Sequence, residues 1–279
     1  MIIAIFPNTS KSQSKKLALG IVDFFNGKNI TVVSDDKDAK IIGAKPISKV
    51  KKDKIDFIIS MGGDGTILRL AHRFFDSQIP ILGINLGHLG FMADIPLDDV
   101  YPSLQDLIDK AYTIEKRVMI EGESLDGDKA IAVNDFVIHR ARNPSLVEIA
   151  IHINGTYLNT FEADGVILAT PTGSTAYSLA AGGPILQPEL PAFVLTPINP
   201  HTISNRPLVL PTNIELQIQY LSDYAPVEVI ADGLETFKLK TGGGFRLRKS
   251  HQTFNLVNLH RRDYFTTLRT KLGWSGKLR

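Results

Sequence analysis

The order in which apolar periodicities appear along the chain limits its fold more than any other feature. Residues 2–6 form a short, unbroken apolar run, Pro7-Asn8-Thr9-Ser10 is a polar turn, and Leu17, Ile21, Phe24 and Phe25 follow at helical spacing. That is a β–α step. Residues 29–34, 56–60 and 79–84 read as further strands, and the continuous apolar character of Phe57-Ile58-Ile59 suits the middle of a parallel sheet. Residues 97–112 carry Val100, Leu104, Leu107, Ile108 and Ala111 on one stripe, which predicts a helix with a single core-facing side. The first 115 residues are therefore expected to form an α/β open sheet.

Beyond that point the period changes from 3.6 to 2. In 147–153 the branched residues occupy every second place, Asn154-Gly155 supplies a two-residue hairpin turn, and Tyr157, Leu158 and Phe161 continue on the far side. Similar alternation returns in 214–220, 227–229 and 245–247, separated by Pro and Gly. This predicts a β-rich, sandwich-like second domain over 116–255. Tyr264, Phe265, Leu268 and Leu272 return to a helical stripe, so 256–279 is expected to be a C-terminal helix packing back on the first domain.

Composition narrows the function classes. The 279 residues, 43% hydrophobic and 22% charged, have enough apolar content to bury a core without staples. Lys+Arg 31 against Asp+Glu 29 leaves +2, which lacks the basic excess of a nucleic-acid binder. Zero cysteines remove disulfides, thiolate metal sites and thiol catalysis, and fit a reducing compartment. The apolar start is too short for a signal or a membrane span, and no later run approaches eighteen residues, so a cytoplasmic protein without membrane partners is expected.

The segment richest in chemistry is Ser60-Met61-Gly62-Gly63-Asp64-Gly65-Thr66, at the end of an apolar strand and ahead of the helical stripe Ile67, Leu68, Leu70 and Ala71. In open α/β sheets ligands bind outside the carboxyl ends of the strands, and a glycine turn entering a helix leaves amides for phosphate oxygens. A carboxylate inside such a turn is unfavourable unless a cation or a substrate hydroxyl intervenes, which suggests phosphoryl transfer with Asp64 as base or orienting acceptor. The bland alternative is an Asp-Gly turn required only for backbone geometry. Neither a Walker A pattern nor Gly-x-Gly-x-x-Gly occurs, and protein-kinase signatures are missing.

A second loop, residues 164–178, is dense in hydroxyls: Thr170, Thr172, Ser174, Thr175 and Ser178 surround Ala176 and Tyr177, with a helix expected to start near Ser174. Capping explains one or two of these, and a small polar loop beside an aromatic suits an adenosine or ribose pocket. Ser174 as a hydrolase nucleophile lacks the Gly-x-Ser-x-Gly elbow and a histidine partner. Asn134-Asp135, set between apolar runs, is either a bulge or a turn, or an amide and a carboxyl group meeting ribose hydroxyls or a base edge. The histidines, among them His88, His139, His152 and His201, show no metal-ligand spacing and are expected at the surface or in packing.

Together these motifs resemble the NAD kinase family along nearly the whole chain. The likeness is carried by Gly62 to Thr66, Asn85-Leu-Gly-His-Leu-Gly-Phe91, Asn134-Asp135 and Asp164 through Ser178; 182–186, 200–208 and Thr270-Lys-Leu-Gly-Trp274 look like its bacterial branch. The resemblance implies ATP-dependent phosphorylation of the adenosine-ribose 2′-hydroxyl of NAD to give NADP, with a divalent cation such as Mg2+ held chiefly by the nucleotide phosphates. It implies a site between two domains, with Asp64 as proton acceptor, Gly62, Gly63, Gly65 and Thr66 in the glycine turn, and Asn134, Asp135 and Asp164 at dinucleotide-binding positions. Thr175, Ala176, Tyr177, Ser178 and Ala180 match the loop folded around NAD, and a homo-oligomer is implied. Two positions depart from the family pattern: Asp135 stands where Glu is usual, one methylene shorter, and Phe161-Glu162-Ala163 precedes Asp164 where a basic residue is frequent. Two rivals share parts of this pattern. A diacylglycerol- or sphingosine-type lipid kinase has the Gly-Gly-Asp-Gly turn but calls for an interfacial anchor absent from this sequence, and a non-catalytic NAD sensor would need Asp64 only for structure.

Overall fold

The computed structural model describes residues 1–276 except His88 and Ile203. The chain divides into two compact units, one formed by Met1–Lys116 together with the chain from Phe254 onward, the other by Arg117–Thr253.

The first unit is built on a seven-stranded sheet in the order Lys45–Pro46, Thr31–Ser34, Ile2–Phe6, Phe57–Met61, Ile81–Ile84, Phe254–Asn258, Thr113–Arg117. The first six strands run parallel. Their apolar runs have the physical reason anticipated above, because both faces are covered. Ile3, Ile5 and Ile59 enter one core with Ala18, Ile21, Val22 and Phe25 of the helix Ser12–Asn26, while Ala4 and Ile58 are fully inaccessible outside that cluster. Each such Ile, Val or Phe side chain contributes about 1.5–3 kcal/mol by leaving water. The stripe predicted over 97–112 is shorter than expected. Leu97–Asp99 is a 3-10 turn, the α-helix spans Val100–Ile108, and Lys110 (φ 59°) ends it as the Ala111 amide bonds back to the Asp106 carbonyl at 2.8 Å. Phe254–Asn258 is a strand that the sequence reading did not assign, and it joins the sheet ahead of the helix Tyr264–Leu272. That helix is capped by the Asp263 carboxylate on the Thr266 amide (2.9 Å) and stopped by Gly273 in the left-handed region (φ 65°).

The second unit is a sandwich of two six-stranded sheets. One has the order Thr156–Ala163, Val147–Ile153, Glu215–Tyr220, Gly244–Lys249, Ile120–Ser124, Lys129–Ala132; the other runs Leu208–Pro211, Ala192–Ile198, Gly165–Ala169, Asp135–His139, Val227–Ala231, Glu235–Leu239. All neighbours are antiparallel. The alternating residues Ile149, Ile151, Leu216 and Ile218 of one sheet share a core with Phe136, Val166, Leu168 and Phe193 of the other, and the Phe136 and Phe245 rings meet across it at 5.8 Å. Asn154-Gly155 makes the predicted hairpin turn with both residues at positive φ (50° and 79°), the twist that two-residue hairpins prefer.

Candidate active site

Three features of the first unit converge on one carboxylate. The strand Phe57–Met61 delivers Gly62 and Gly63 to the carboxyl edge of the sheet, where the Gly62 amide is fixed on the Ile84 carbonyl at 2.9 Å. The helix Asp64–Arg73 then opens with no side-chain cap, and the Gly63 carbonyl accepts the Thr66 amide at 2.9 Å and the Ile67 amide at 3.4 Å. Gly63 and Gly65 are exposed, and Thr66 carries its hydroxyl 3.3 Å from the Arg69 guanidinium. Asp64 is the first helical residue, where a negative charge is favoured by the helix dipole. Its Oδ2 accepts the Phe91 amide (2.8 Å) and its Oδ1 the amides of Met92 (3.1 Å) and Ala93 (2.9 Å). The carboxylate is therefore held by three successive backbone donors. The same segment begins at Asn85, whose buried side chain accepts the Gly87 amide at 2.7 Å; His88 lies outside the described residues.

In the second unit a cavity of about 430 Å³ is lined by Asn134, Asp135, Val137, His139, Ala176, Tyr177, Ile230, Asp232 and Gly233. Asn134, Asp135, Ala176 and Tyr177, singled out in the sequence, thus come together although the pair and the loop lie some forty residues apart in the chain. The tie is explicit: the Thr170 amide donates to the Asn134 carbonyl (2.8 Å) and the Thr170 hydroxyl to the Val133 carbonyl (2.6 Å). The Asn134 Oδ1 is buried without a hydrogen-bond partner, an acceptor whose cost a ligand N–H or O–H would offset.

Asp232 was missed by the sequence reading. It sits at φ 51° in the turn between Val227–Ala231 and Glu235–Leu239, and its carboxylate accepts the amides of Val133 (2.8 Å), Asn134 (2.8 Å) and Asp135 (3.0 Å). The signal available in sequence was only Asp232-Gly233, which reads as an ordinary turn. Its negative charge has a consequence for Asp135, which is 5% exposed. Burial first, and the neighbouring Asp232 charge second, push the Asp135 carboxyl up to about 7, which favours its protonated form, a hydrogen-bond donor, well above the usual carboxylate range.

The remaining sequence candidates lie elsewhere. Asp164 is engaged by Arg140 Nε at 2.6 Å and by the Asn199 amide group at 2.9 Å, away from the cavity lining. The hydroxyls of the loop are largely taken up by bonds within the loop and to its neighbours. Ser174 and Ser178 are fully buried, the Ser174 hydroxyl donates to the Pro171 carbonyl (2.6 Å) and accepts the Leu186 amide (3.0 Å), and Ser178 pairs with the Thr196 hydroxyl (2.9 Å). Thr175 donates to the Thr172 carbonyl at 3.2 Å, and Ala180 is exposed. The helix expected near Ser174 is a 3-10 turn over Gly173–Thr175 followed by Tyr177–Ala180, because Ser174 binds the loop rather than capping it. A nucleophilic Ser174 is excluded by the same bonds. His139 accepts the Ala141 amide (3.1 Å), His152 packs on Tyr157 and His201 lies 3.5 Å from Glu162. Among the described residues no group of three or more His, Cys, Asp or Glu could hold a metal ion, and no helix is long and apolar enough to cross a membrane.

A glycine turn at the carboxyl edge of a parallel sheet, with a fixed carboxylate at the helix start, fits the class of nucleotide-dependent phosphotransferases, and the second unit adds a cavity lined by Asp135 and Asp232. Family models agree and specify it further: residues 3–112 match the ATP-NAD kinase N-terminal domain and residues 133–259 the ATP-NAD kinase C-terminal domain. The chain belongs to the ATP-NAD kinase family. It is 58% identical over 278 residues to an NAD kinase of Protochlamydia amoebophila, covering 100% of both chains, and 36% identical to an NAD kinase of Moorella thermoacetica, covering 98% of this chain and 90% of that one. Among solved structures it is similar to yeast NADH kinase complexed with NADH (TM-score 0.87, 27% identity, 100% of this chain and 89% of that one). It shares its fold with an Archaeoglobus fulgidus NAD kinase in complex with ATP (TM-score 0.78, 24% identity, 99% and 100% covered).

Proposed function

We infer that this chain is an ATP-dependent NAD kinase: it transfers the γ-phosphoryl group of ATP to the 2′-hydroxyl of the adenosine ribose of NAD, giving NADP and ADP. Family membership sets aside the lipid-kinase reading. The observation that carries the mechanism is Asp64, held by three amides at the start of a helix. Asp64 orients the ribose hydroxyl and accepts its proton as the P–O bond forms. A loose phosphoryl-transfer transition state asks for in-line positioning more than for a strong base, and an ordinary carboxylate meets that demand. Gly62, Gly63, Gly65 and Thr66 present the glycine turn, with Gly65 also against the dinucleotide. ATP arrives with its divalent cation, Mg2+ for preference, on the phosphates. Asn134 and Asp135 bind ribose hydroxyls, Asp164 contributes a further dinucleotide contact, and Thr175, Ala176, Tyr177, Ser178 and Ala180 belong to the loop around NAD, with Ser178 shaping it from behind. Functionally, 1–115 carries the phosphate turn, 116–255 the dinucleotide site and 256–279 the returning helix. The reading includes a homo-oligomer working in the cytoplasm, as the family resemblance implies.

The test incubates the purified protein with NAD, ATP and Mg2+ and reads NADP through an NADP-specific dehydrogenase, with Asp64→Asn in parallel. Wild type should form NADP, and the variant should lose about 10²–10⁴-fold in kcat. Near-wild-type turnover by Asp64→Asn would remove Asp64 from the chemistry, and no NADP from folded wild type with any triphosphate donor would overturn the kinase assignment.

A further inference from the structure

Thr270-Lys-Leu-Gly-Trp274 stands out in the sequence and lies outside the glycine turn and the cavity. Its lysine reaches the segment that holds Asp64. Lys271 lies in the last turn of the helix Tyr264–Leu272, and its ammonium donates to the Leu89 carbonyl at 2.9 Å. It also sits over the Phe91 ring, 5.2 Å from the centroid, a cation–π distance. The Tyr264 ring, two turns earlier on the same helix, packs on Phe91 with centroids 6.2 Å apart.

Phe91 is thus gripped at both ends. Its ring is held by Lys271 and Tyr264, and its amide is one of the three donors to the Asp64 carboxylate. The residues between are equally constrained. The Gly90 amide closes a turn on the Ala93 carbonyl at 2.9 Å, and a Cβ at Gly90 would overlap the Asp64 carboxylate oxygen, so backbone and carboxylate are in direct contact there. The 89–93 segment has no regular secondary structure to fix it. Its position depends on what it touches.

We propose that Lys271 is a positioning residue for Asp64, holding the 89–93 segment so that the amides of Phe91, Met92 and Ala93 aim the carboxylate. This rests on the reading of Asp64 as the proton acceptor. The competing account is that a lysine in the last helical turn merely complements the helix dipole. Arg269 occupies the same turn and separates the two, because its guanidinium binds the Thr266 hydroxyl at 2.8 Å within its own helix.

The experiment compares Lys271→Met, Lys271→Arg and Arg269→Met in the full chain, reading kcat, both KM values, thermal midpoint and amide hydrogen exchange over 89–93. Lys271→Met should lower kcat about tenfold with KM changed less than about twofold, since misplacement of a catalytic group by a fraction of an ångström acts on turnover. Exchange at Phe91, Met92 and Ala93 should accelerate. Lys271→Arg should restore most of both, and Arg269→Met should alter neither. In the Asp64→Asn background Lys271→Met should cost nothing further. Tyr264→Leu, which removes the second group on Phe91, provides the same readouts if Lys271→Met does not fold. A folded Lys271→Met with wild-type kcat and exchange would overturn the proposal, as would a kcat loss that persists in full without the Asp64 carboxylate. If Asp64→Asn itself turns over normally, the catalytic reading has failed and the positioning role falls with it; if only Lys271→Met does, the catalytic reading stands alone.

Discussion

Both units bind a carboxylate with three consecutive backbone amides, and the two sites differ in what that carboxylate is free to do. Asp64 takes the amides of Phe91–Ala93 from the first turn of a helix, beside exposed glycines. Asp232 takes those of Val133–Asp135 from a tight turn between antiparallel strands. Charge-assisted bonds of this kind are about twice as strong as neutral ones, so each carboxylate pins a loop. In the first unit the pinned loop serves the carboxylate. In the second the carboxylate serves the loop, fixing Asn134 and the start of the strand Asp135–His139, and the group left with unusual chemistry is its neighbour Asp135. Hydrogen-bond pattern alone does not assign a role; the surroundings of the held group do.

The largest expected effect that would break this contrast comes from Asp232→Ala, which leaves three amides without their acceptor. At about 1–3 kcal/mol per unsatisfied group, a loss of several kcal/mol is expected in urea unfolding. In the folded fraction the KM for NAD should rise about tenfold or more while kcat changes less, the reverse of the split expected for Asp64→Asn. An unchanged KM would show that the amides of 133–135 do not position a substrate contact.

A smaller effect sharpens the role of Asp135. Its carboxyl has a folded value of about 7 against about 3.9 in the unfolded chain, so the folded state holds the extra proton between those values. The associated stability is present in full below about pH 4 and is lost as pH rises through 7, amounting to at most about 4 kcal/mol. Ligand-free wild type should therefore lose stability relative to Asp135→Asn between pH 5 and pH 8. Parallel pH curves for the two proteins would refute the raised value. Because burial is the larger cause, Asp232→Asn should reduce this pH dependence without abolishing it.

The smallest effect concerns the loop over the cavity. Ser178→Ala removes a buried hydroxyl pair with Thr196 and should cost about 1 kcal/mol, with the KM for NAD moving less than about twofold. A large KM change would mean that the Ser178 hydroxyl leaves Thr196 to meet the substrate.

Much of the fold was legible. Unbroken apolar runs at 2–6 and 57–59 announce strands covered on both faces, alternation in 147–153 announces a sheet with one covered face, and Asn154-Gly155 names its own turn. The strand Phe254–Asn258 was not read, because Asn255 and Asn258 interrupt the apolar run. The helix predicted over 97–112 was overextended, since periodicity cannot register the reversal at Lys110. At the sites, Asp64 stands out because a carboxylate inside a glycine turn is locally anomalous. Asp232 and Lys271 do not, because an Asp-Gly turn and a lysine near a helix end are locally ordinary. Hydroxyl density likewise could not say that Ser174 is spent on the Pro171 carbonyl of its own loop and Ser178 on Thr196 of a neighbouring strand.

The sequence by itself determined the alternation of elements, the change of period near residue 115 and the glycine turn carrying Asp64, because each is written in neighbouring residues and follows from backbone sterics and side-chain periodicity. Tertiary structure alone decided that Asp232 grips residues about a hundred positions earlier, that Lys271 reaches Leu89, and that Asp135 holds its proton to about pH 7. The reason is physical. Hydrogen bonds and desolvation act over a few ångströms of space, and only the folded chain brings those groups within that range.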